Sequence, residues 1–235
     1  MEQAALPSTI ERQPRIAALL GASGATGQKL LPLLLDDAAY SKIITLSRRE
    51  AGIVHAKLEN RVVDFDDLAA AFKGTKVDDC YCTFGTTIRI AGSQAAMSRI
   101  DHDFVLEFAK AGLAAGATRF AYLSAANANA GSSAFYARLK GQTEDALKTL
   151  GFADLSIFRP SMIIAERDNR RWIESMLFPL LPFVDKLMIG AFTKYRSIPV
   201  EALAKAIAAF SGQQGGGCQI HYWQDMIAAV KNRPG

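Results

Sequence analysis

The amino-acid sequence predicts an α/β fold: a doubly wound parallel sheet with helices on both faces and a small C-terminal lobe. Three observations predict it. Short apolar runs alternate with longer helix-compatible stretches from residue 15 onward. Those runs are almost continuously apolar, as strands buried on both faces are. A glycine-rich turn, GASGATG at 21–27, joins the first run to the first helical stretch. The chain has 235 residues, which at roughly 100–200 residues per domain is one large domain or one domain with a small lobe. Residues 1–14 read as a flexible polar tail and residues 15–235 as a single domain, with 161–195 and 212–235 forming the lobe.

The expected strands are 15–20, 42–47, 61–64, 79–84, 119–124 and 154–159, each apolar and rich in β-branched, aromatic or leucine side chains. Helices are expected between them, at 25–36, 66–73, 94–116 and 132–150. Within the third of these, Ile100, Phe104, Phe108 and Ala111 recur at roughly helical spacing, the mark of a face packed on a core. Pro32 falls inside the first helix, removes one backbone bond and predicts a kink there. After Pro160 the alternation weakens. Residues 198–210 read as a short extended piece and a helix, 215–217 as a glycine loop, 218–223 as a last strand and 226–231 as a last helical turn or two. The apolar segment 172–189, with Trp172, Phe178 and Phe183, is open to three uses. It could line a pocket, pack against a second subunit in a homodimer, or be core.

Composition narrows the classes. Half the residues are apolar and 21% charged, which excludes disorder as the main character. The net charge is only +4, and no basic run exceeds Arg48-Arg49 or Arg170-Arg171, so a nucleic-acid partner is not expected. No window holds 18 uninterrupted apolar residues, so no membrane span is expected. No apolar signal segment lies in residues 1–14. The odd set Cys80, Cys82 and Cys218 fits a reducing compartment, and the expected location is the cytoplasm. Cys80 and Cys82 read as core. His55, His102 and His221 are scattered without ligand spacing, so no metal site is expected.

The glycine turn has a chemical reason. Between a first strand and a helix, G-x-x-G-x-x-G permits a tight turn, close backbone approach to a pyrophosphate and close helix–strand packing. The free N–H groups at the helix start then bind phosphate oxygens. Gly21, Ser23, Gly24, Ala25, Thr26 and Gly27 are the expected dinucleotide contacts, and the fold they imply is Rossmann-type. The second strand ends in Ser47, Arg48 and Arg49. No acidic side chain stands there to hold a ribose 2′-hydroxyl, and two guanidiniums can pair with a 2′-phosphate. This predicts NADP(H) over NAD(H). Asp64 and Phe65, after the third strand, are expected beside the adenine.

Tyr136 and Lys140 stand four apart on a helix and so face one side, a turn apart. Ser124 closes the fifth strand twelve residues earlier. Ligands of open parallel sheets bind outside the carboxyl ends of the strands, where both Ser124 and Tyr136 can reach.

With these residues in view, the chain resembles an atypical short-chain dehydrogenase/reductase. It is most similar to the group of the Tat-interacting oxidoreductase and its bacterial epimerase-like relatives. The motifs are GASGATGQ at 21–28, TLSRR at 45–49, VVDFDDL at 62–68, CYCTFGTT at 80–87, YLSA at 122–125, FYARLKGQTE at 135–144 and FRPSMII at 158–164. They run in order over residues 15–210. The resemblance implies that Tyr136 is the general acid that protonates a substrate carbonyl during hydride transfer. Lys140 would assist through its charge and hold the nicotinamide ribose. A free phenol titrates near 10, a poor match to neutral pH, so a nearby cation is a physical need. Ser124 would bind the substrate oxygen. Gly85, Thr86 and Thr87 would line the cofactor, and Pro160 and Ser161 would flank the nicotinamide. Two positions depart from the pattern: Ala125 stands where relatives often have a second serine, and Asp101 where many keep a relay asparagine.

The expected function is therefore an NADPH-dependent reductase of a small carbonyl or quinone-like acceptor. Two alternatives stay open: an NADP(H)-binding redox sensor without turnover, and an epimerase-like enzyme with a tightly held cofactor.

Overall fold

The computed structural model describes residues 14–49, 52–165, 188, 190–211 and 216–232. All but the last residue of the expected tail at 1–14, and nearly all of the apolar segment 172–189, lie outside the described residues. Seven parallel strands form the main sheet: β1 (Arg15–Leu20), β2 (Tyr40–Ser47), β3 (Leu58–Val62), β4 (Asp79–Cys82), β5 (Arg119–Leu123), β6 (Asp154–Phe158) and β9 (Gly217–His221). Their spatial order is β3-β2-β1-β4-β5-β6-β9. Two short strands, β7 (Ile163–Ile164) and β8 (Ile198–Pro199), pair beside it.

Side chains alternate between the faces of each strand. Ala17 and Leu19 of β1 join one core, Ala18 and Leu20 the other. The first core is closed by α1 (Ala25–Asp36), α6 (Val200–Ser211) and α7 (Trp223–Asn232). On the other face lie α4 (Phe104–Ala114), α5 (Phe135–Lys148) and a 3-10 stretch, Phe65–Phe72. Helices on both faces of a parallel sheet make this a Rossmann-type doubly wound fold. Close approach is built in at Gly112 of α4, where a Cβ would lie 2.4 Å from Cys80 Sγ in β4.

Three elements differ from expectation for local reasons. The third strand sits earlier, at Leu58–Val62, because Asp64 turns out of the sheet and caps the next segment through a bond from the Asp66 amide. That segment is 3-10, broken by non-helical angles at Asp67. The long helix predicted at 94–116 is α3 (Gln94–Ser98), one π turn (Arg99–Asp103) and α4, preceded by the short exposed α2 (Ile88–Ala91). α1 runs over Ala25–Asp36 as expected, with Pro32 inside it.

The amino ends of the strands carry a band of charge. Arg15 meets Asp79 at 2.7 Å, and Arg119 lies 3.5 Å from Asp79 and 3.9 Å from Asp154. Tyr40 donates to Asp79 at 2.5 Å. This end is closed and paired, which leaves the carboxyl ends as the open edge of the sheet. Among the described residues no helix is long and apolar enough to cross a membrane.

Candidate active site

The order of the strands makes the site. The chain winds outward from β1 to β2 and β3, then returns to lay β4 on the other side of β1, so the loops after β1 and β4 diverge and leave a crevice. The glycine turn lies there. Gly21 has φ +96°, and a Cβ on it would sit 2.7 Å from the Phe84 backbone at the end of β4. A Cβ on Gly27 would lie 2.0 Å from the Gly21 carbonyl oxygen. Both positions exclude a side chain, so the backbone of α1 starts tight against the turn. Gly24 caps α1 without a side-chain bond, and no acidic residue occupies the first turn. The first amides of the helix are thus left to an anion, and this cradle fits a pyrophosphate. Ser23 and Ala25 are exposed at its rim and Thr26 is buried beneath it.

Arg48 and Arg49 are exposed past the end of β2. Ser47 donates to the Arg49 carbonyl at 2.5 Å and also bonds Asn60, which fixes the path of this pair. Asp64 is exposed, with one oxygen used in its cap. Phe65 is placed otherwise than expected. Its ring is buried edge-on against Phe84 and Phe104, at 5.2 and 5.4 Å, so only its backbone can face an adenine.

The helix α5, which follows β5 and carries Tyr136 and Lys140, meets this crevice. Lys140 is 3% exposed and makes three contacts: Asp101 Oδ1 at 3.1 Å, the Tyr122 hydroxyl at 3.1 Å and the Leu123 carbonyl at 3.4 Å. The ammonium donates to Tyr122 and Leu123 and is ion-paired with Asp101. The Leu123 contact is the longest and the readiest to yield to a ligand hydroxyl. Burial alone would push the ammonium down, but Tyr122, Tyr136 and Asp101 outweigh it and hold Lys140 well above the usual lysine value. Burial drives the Tyr122 phenol up and the Cys82 thiol, nearby on β4, up to about 12. Both groups are therefore neutral at pH 7.

Asp101 is 1% exposed, so it is no surface group. The π turn adds the residue that aims it inward. Its second oxygen accepts from the Thr86 amide at 2.8 Å, and its first would be 2.9 Å from a Cβ on Gly85. Thr86 and Lys140 are thereby joined through one carboxylate, against which Gly85 is packed.

Ser124 lies at the cleft, but its hydroxyl donates to Glu144, which is wholly buried. Glu144 also takes two guanidinium nitrogens of Arg159, Nε at 2.9 Å and Nη2. Arg159 in turn donates to the Tyr222 hydroxyl at 2.7 Å. The hydrogen bonds to Glu144 raise the Arg159 guanidinium further above its ordinary value, against the lowering by burial. The sequence reading passed over Glu144 and Arg159. Glu144 stands four residues past Lys140, on the same helix face, and that spacing was the available signal.

A cleft of about 350 Å³ opens beside α5. Asn127, Tyr136, Pro160, Ser161 and Tyr195 line it with Ser124, and none of its described wall side chains is charged. Tyr136 is 40% exposed there. Among the described residues no group of His, Cys, Asp and Glu could hold a metal ion. The loop carrying Asn127 is seated directly on α5: a Cβ on Gly141 would lie 2.1 Å from the Ala130 amide nitrogen. Gly141→Ala is therefore expected to cost about 1–3 kcal/mol by overpacking and to lower the melting temperature by several degrees. An unchanged thermal melt would mean that the loop is not held against the helix.

The chain is 35% identical to rat HTATIP2 over 186 residues, 75% of this chain and 76% of that protein. It is 33% identical to the mitochondrial protein fmp52 of Aspergillus fumigatus over 167 residues, 68% and 71% of the two chains. Among solved structures it is similar to the Bordetella bronchiseptica enzyme WbmH in complex with NAD+, with a TM-score of 0.66, 16% identity, and 90% and 76% of the chains covered. No family model matches. The relatives overturn one expectation. Several fungal ones are named mitochondrial, so the cytoplasmic location read from cysteine usage does not stand: unpaired thiols mark a reducing milieu and do not distinguish one such compartment from another.

Proposed function

The chain belongs to the family of HTATIP2 and the FMP52 proteins, and on that premise we propose an NADPH-dependent oxidoreductase that reduces a small, uncharged carbonyl or quinone-like acceptor. One observation carries this reading. Lys140 Nζ lies 3.6 Å from where a Cβ on Gly85 would stand, so the acid–base helix and the loop after β4 meet at one point of the crevice. The FMP52 names support a mitochondrial location.

The backbone of 21–27 would hold the pyrophosphate, Arg48 and Arg49 the 2′-phosphate, Asp64 the adenine side, and Gly85, Thr86, Thr87, Pro160 and Ser161 the nicotinamide side. When bound, NADPH would supply the hydride that the carbonyl carbon takes up. Tyr136 gives its phenolic proton to the carbonyl oxygen, and the product departs as an alcohol. Lys140 keeps a positive charge one helical turn away, which stabilises the phenolate left behind. Asp101 holds Lys140 and the Thr86 amide in register. Ser124 spends its proton on Glu144 and fixes the start of the substrate loop. The cleft volume and its uncharged described wall favour a small neutral acceptor over a charged nucleotide sugar.

Parallel fluorescence titrations with NADPH and NADH test the cofactor. NADPH is expected to bind at least about tenfold more tightly, 1.4 kcal/mol, and the Arg48→Ala/Arg49→Ala variant is expected to lose that difference. Equal binding of both by the parent would sink the arginine assignment. Tight NADPH binding with no oxidation by any aldehyde, ketone or quinone would instead favour the redox sensor.

A further inference from the structure

The following rests on the reductase reading and adds a residue to it. A carbonyl oxygen that gains charge during reduction is stabilised by preorganised donors, and Tyr136 is one. Ser124 is not a second. A serine hydroxyl has one proton, and that of Ser124 goes to Oε1 of Glu144. Glu144 accepts that proton together with two guanidinium N–H groups of Arg159, so its place in this network is that of an acceptor. The next two positions, Ala125 and Ala126, have no polar side chain. Asn127 does. It is exposed and lines the cleft together with Tyr136, and its amide carries two donor hydrogens that do not ionise.

We propose that Asn127 supplies the second hydrogen bond to the substrate's carbonyl oxygen. Its loop is held as a donor site needs to be. Asn127 stands in a tight turn closed by the Ala128 amide on the Ala125 carbonyl at 3.0 Å. The amides of Ser124 and Ala126 tie the loop to Phe158 and Pro160, each at 2.8 Å. The Asn129 amide bonds the carbonyl of Ala137, the residue after Tyr136, at 2.9 Å. Asn129 itself is committed, since its side-chain oxygen accepts from Gly131. A donor fixed this way costs little reorganisation at the moment of reaction. Ser161 and Tyr195, other hydroxyls on the wall, come from the segment after β6 and from the 3-10 turn Gly190–Tyr195.

The test uses the full chain, NADPH and phenanthrenequinone. Asn127→Asp keeps the shape and replaces the donor by an acceptor, and Asn127→Ala removes it. Both are expected to lower kcat/KM by about 10²–10³-fold with the NADPH titration unchanged. Quinone binding to the protein–NADP+ complex, read by tryptophan fluorescence, is expected to weaken about tenfold, and Asn127→Ser to recover part of both losses. Asn127 variants that reduce the quinone like the parent overturn the proposal and leave the reductase reading intact. The same holds if the loss appears instead in Ser161→Ala or Tyr195→Phe. A parent that neither binds nor reduces the quinone overturns the reductase reading, and the role of Asn127 with it.

Discussion

Replacement of Tyr136 by Phe is expected to lower NADPH-linked reduction by about 10²–10⁴-fold, the usual contribution of a positioned general acid. The ring is half in the cleft, and its hydroxyl makes no hydrogen bond among the described residues, so the substitution removes a proton donor without breaking a structural contact. NADPH affinity and the melting temperature are expected to stay at parental values. That combination separates chemistry from folding. Steady-state rates with a quinone and an aldehyde, beside a cofactor titration, check it. Retained turnover would mean that another group, or water, protonates the product.

The largest effect on stability is expected at Glu144. Its carboxylate is fully buried and satisfied by Arg159 and Ser124. Glu144→Ala strands the guanidinium in a poorly hydrated site and leaves a void, and breaking such a pair costs about 3–5 kcal/mol. For a chain of this size the melting temperature should fall by on the order of 10 °C. Turnover should fall as well, because Arg159 precedes Pro160 and Ser124 opens the loop that holds Asn127. The variant Glu144→Met/Arg159→Met removes both charges and keeps apolar volume, so it should be more stable than Glu144→Ala alone. Thermal melts of the two variants decide this. A Glu144→Ala protein as stable as the parent would show that the pair is not a structural anchor.

Much of the fold was legible because its signals are local. β1, β4, β5 and β6 are mostly apolar runs behind a charged first residue, and their expected and observed starts agree. The glycine turn could be read because each glycine answers a short-range need: the positive φ of Gly21 and the clash that a Cβ on Gly27 would make. Signals failed where a local pattern was overridden. The amphipathic stretch at 66–73 looks helical, but the Asp64 cap and the angles at Asp67 make it 3-10. Phe65 follows a strand end, and that position predicted an adenine contact. Its ring is buried against Phe84 and Phe104, whose approach depends on packing across the β4 side of the sheet.

The site divides in the same way. By itself the sequence determined the order of strands and helices, the phosphate-type turn, the arginine pair after β2, and a tyrosine and lysine one helical turn apart. All of these are set by neighbours within a few residues, where backbone geometry and periodicity are enough. Only the tertiary structure decided which hydroxyl has a proton to give and which charge has a partner. Asp101 meets Lys140 across 39 residues, Ser124 meets Glu144 across 20, and Arg159 meets Tyr222 across 63. Such pairings arise when parallel strands set their carboxyl ends side by side. The low dielectric between them then makes each buried charge and each single proton answer to a residue far away in the chain.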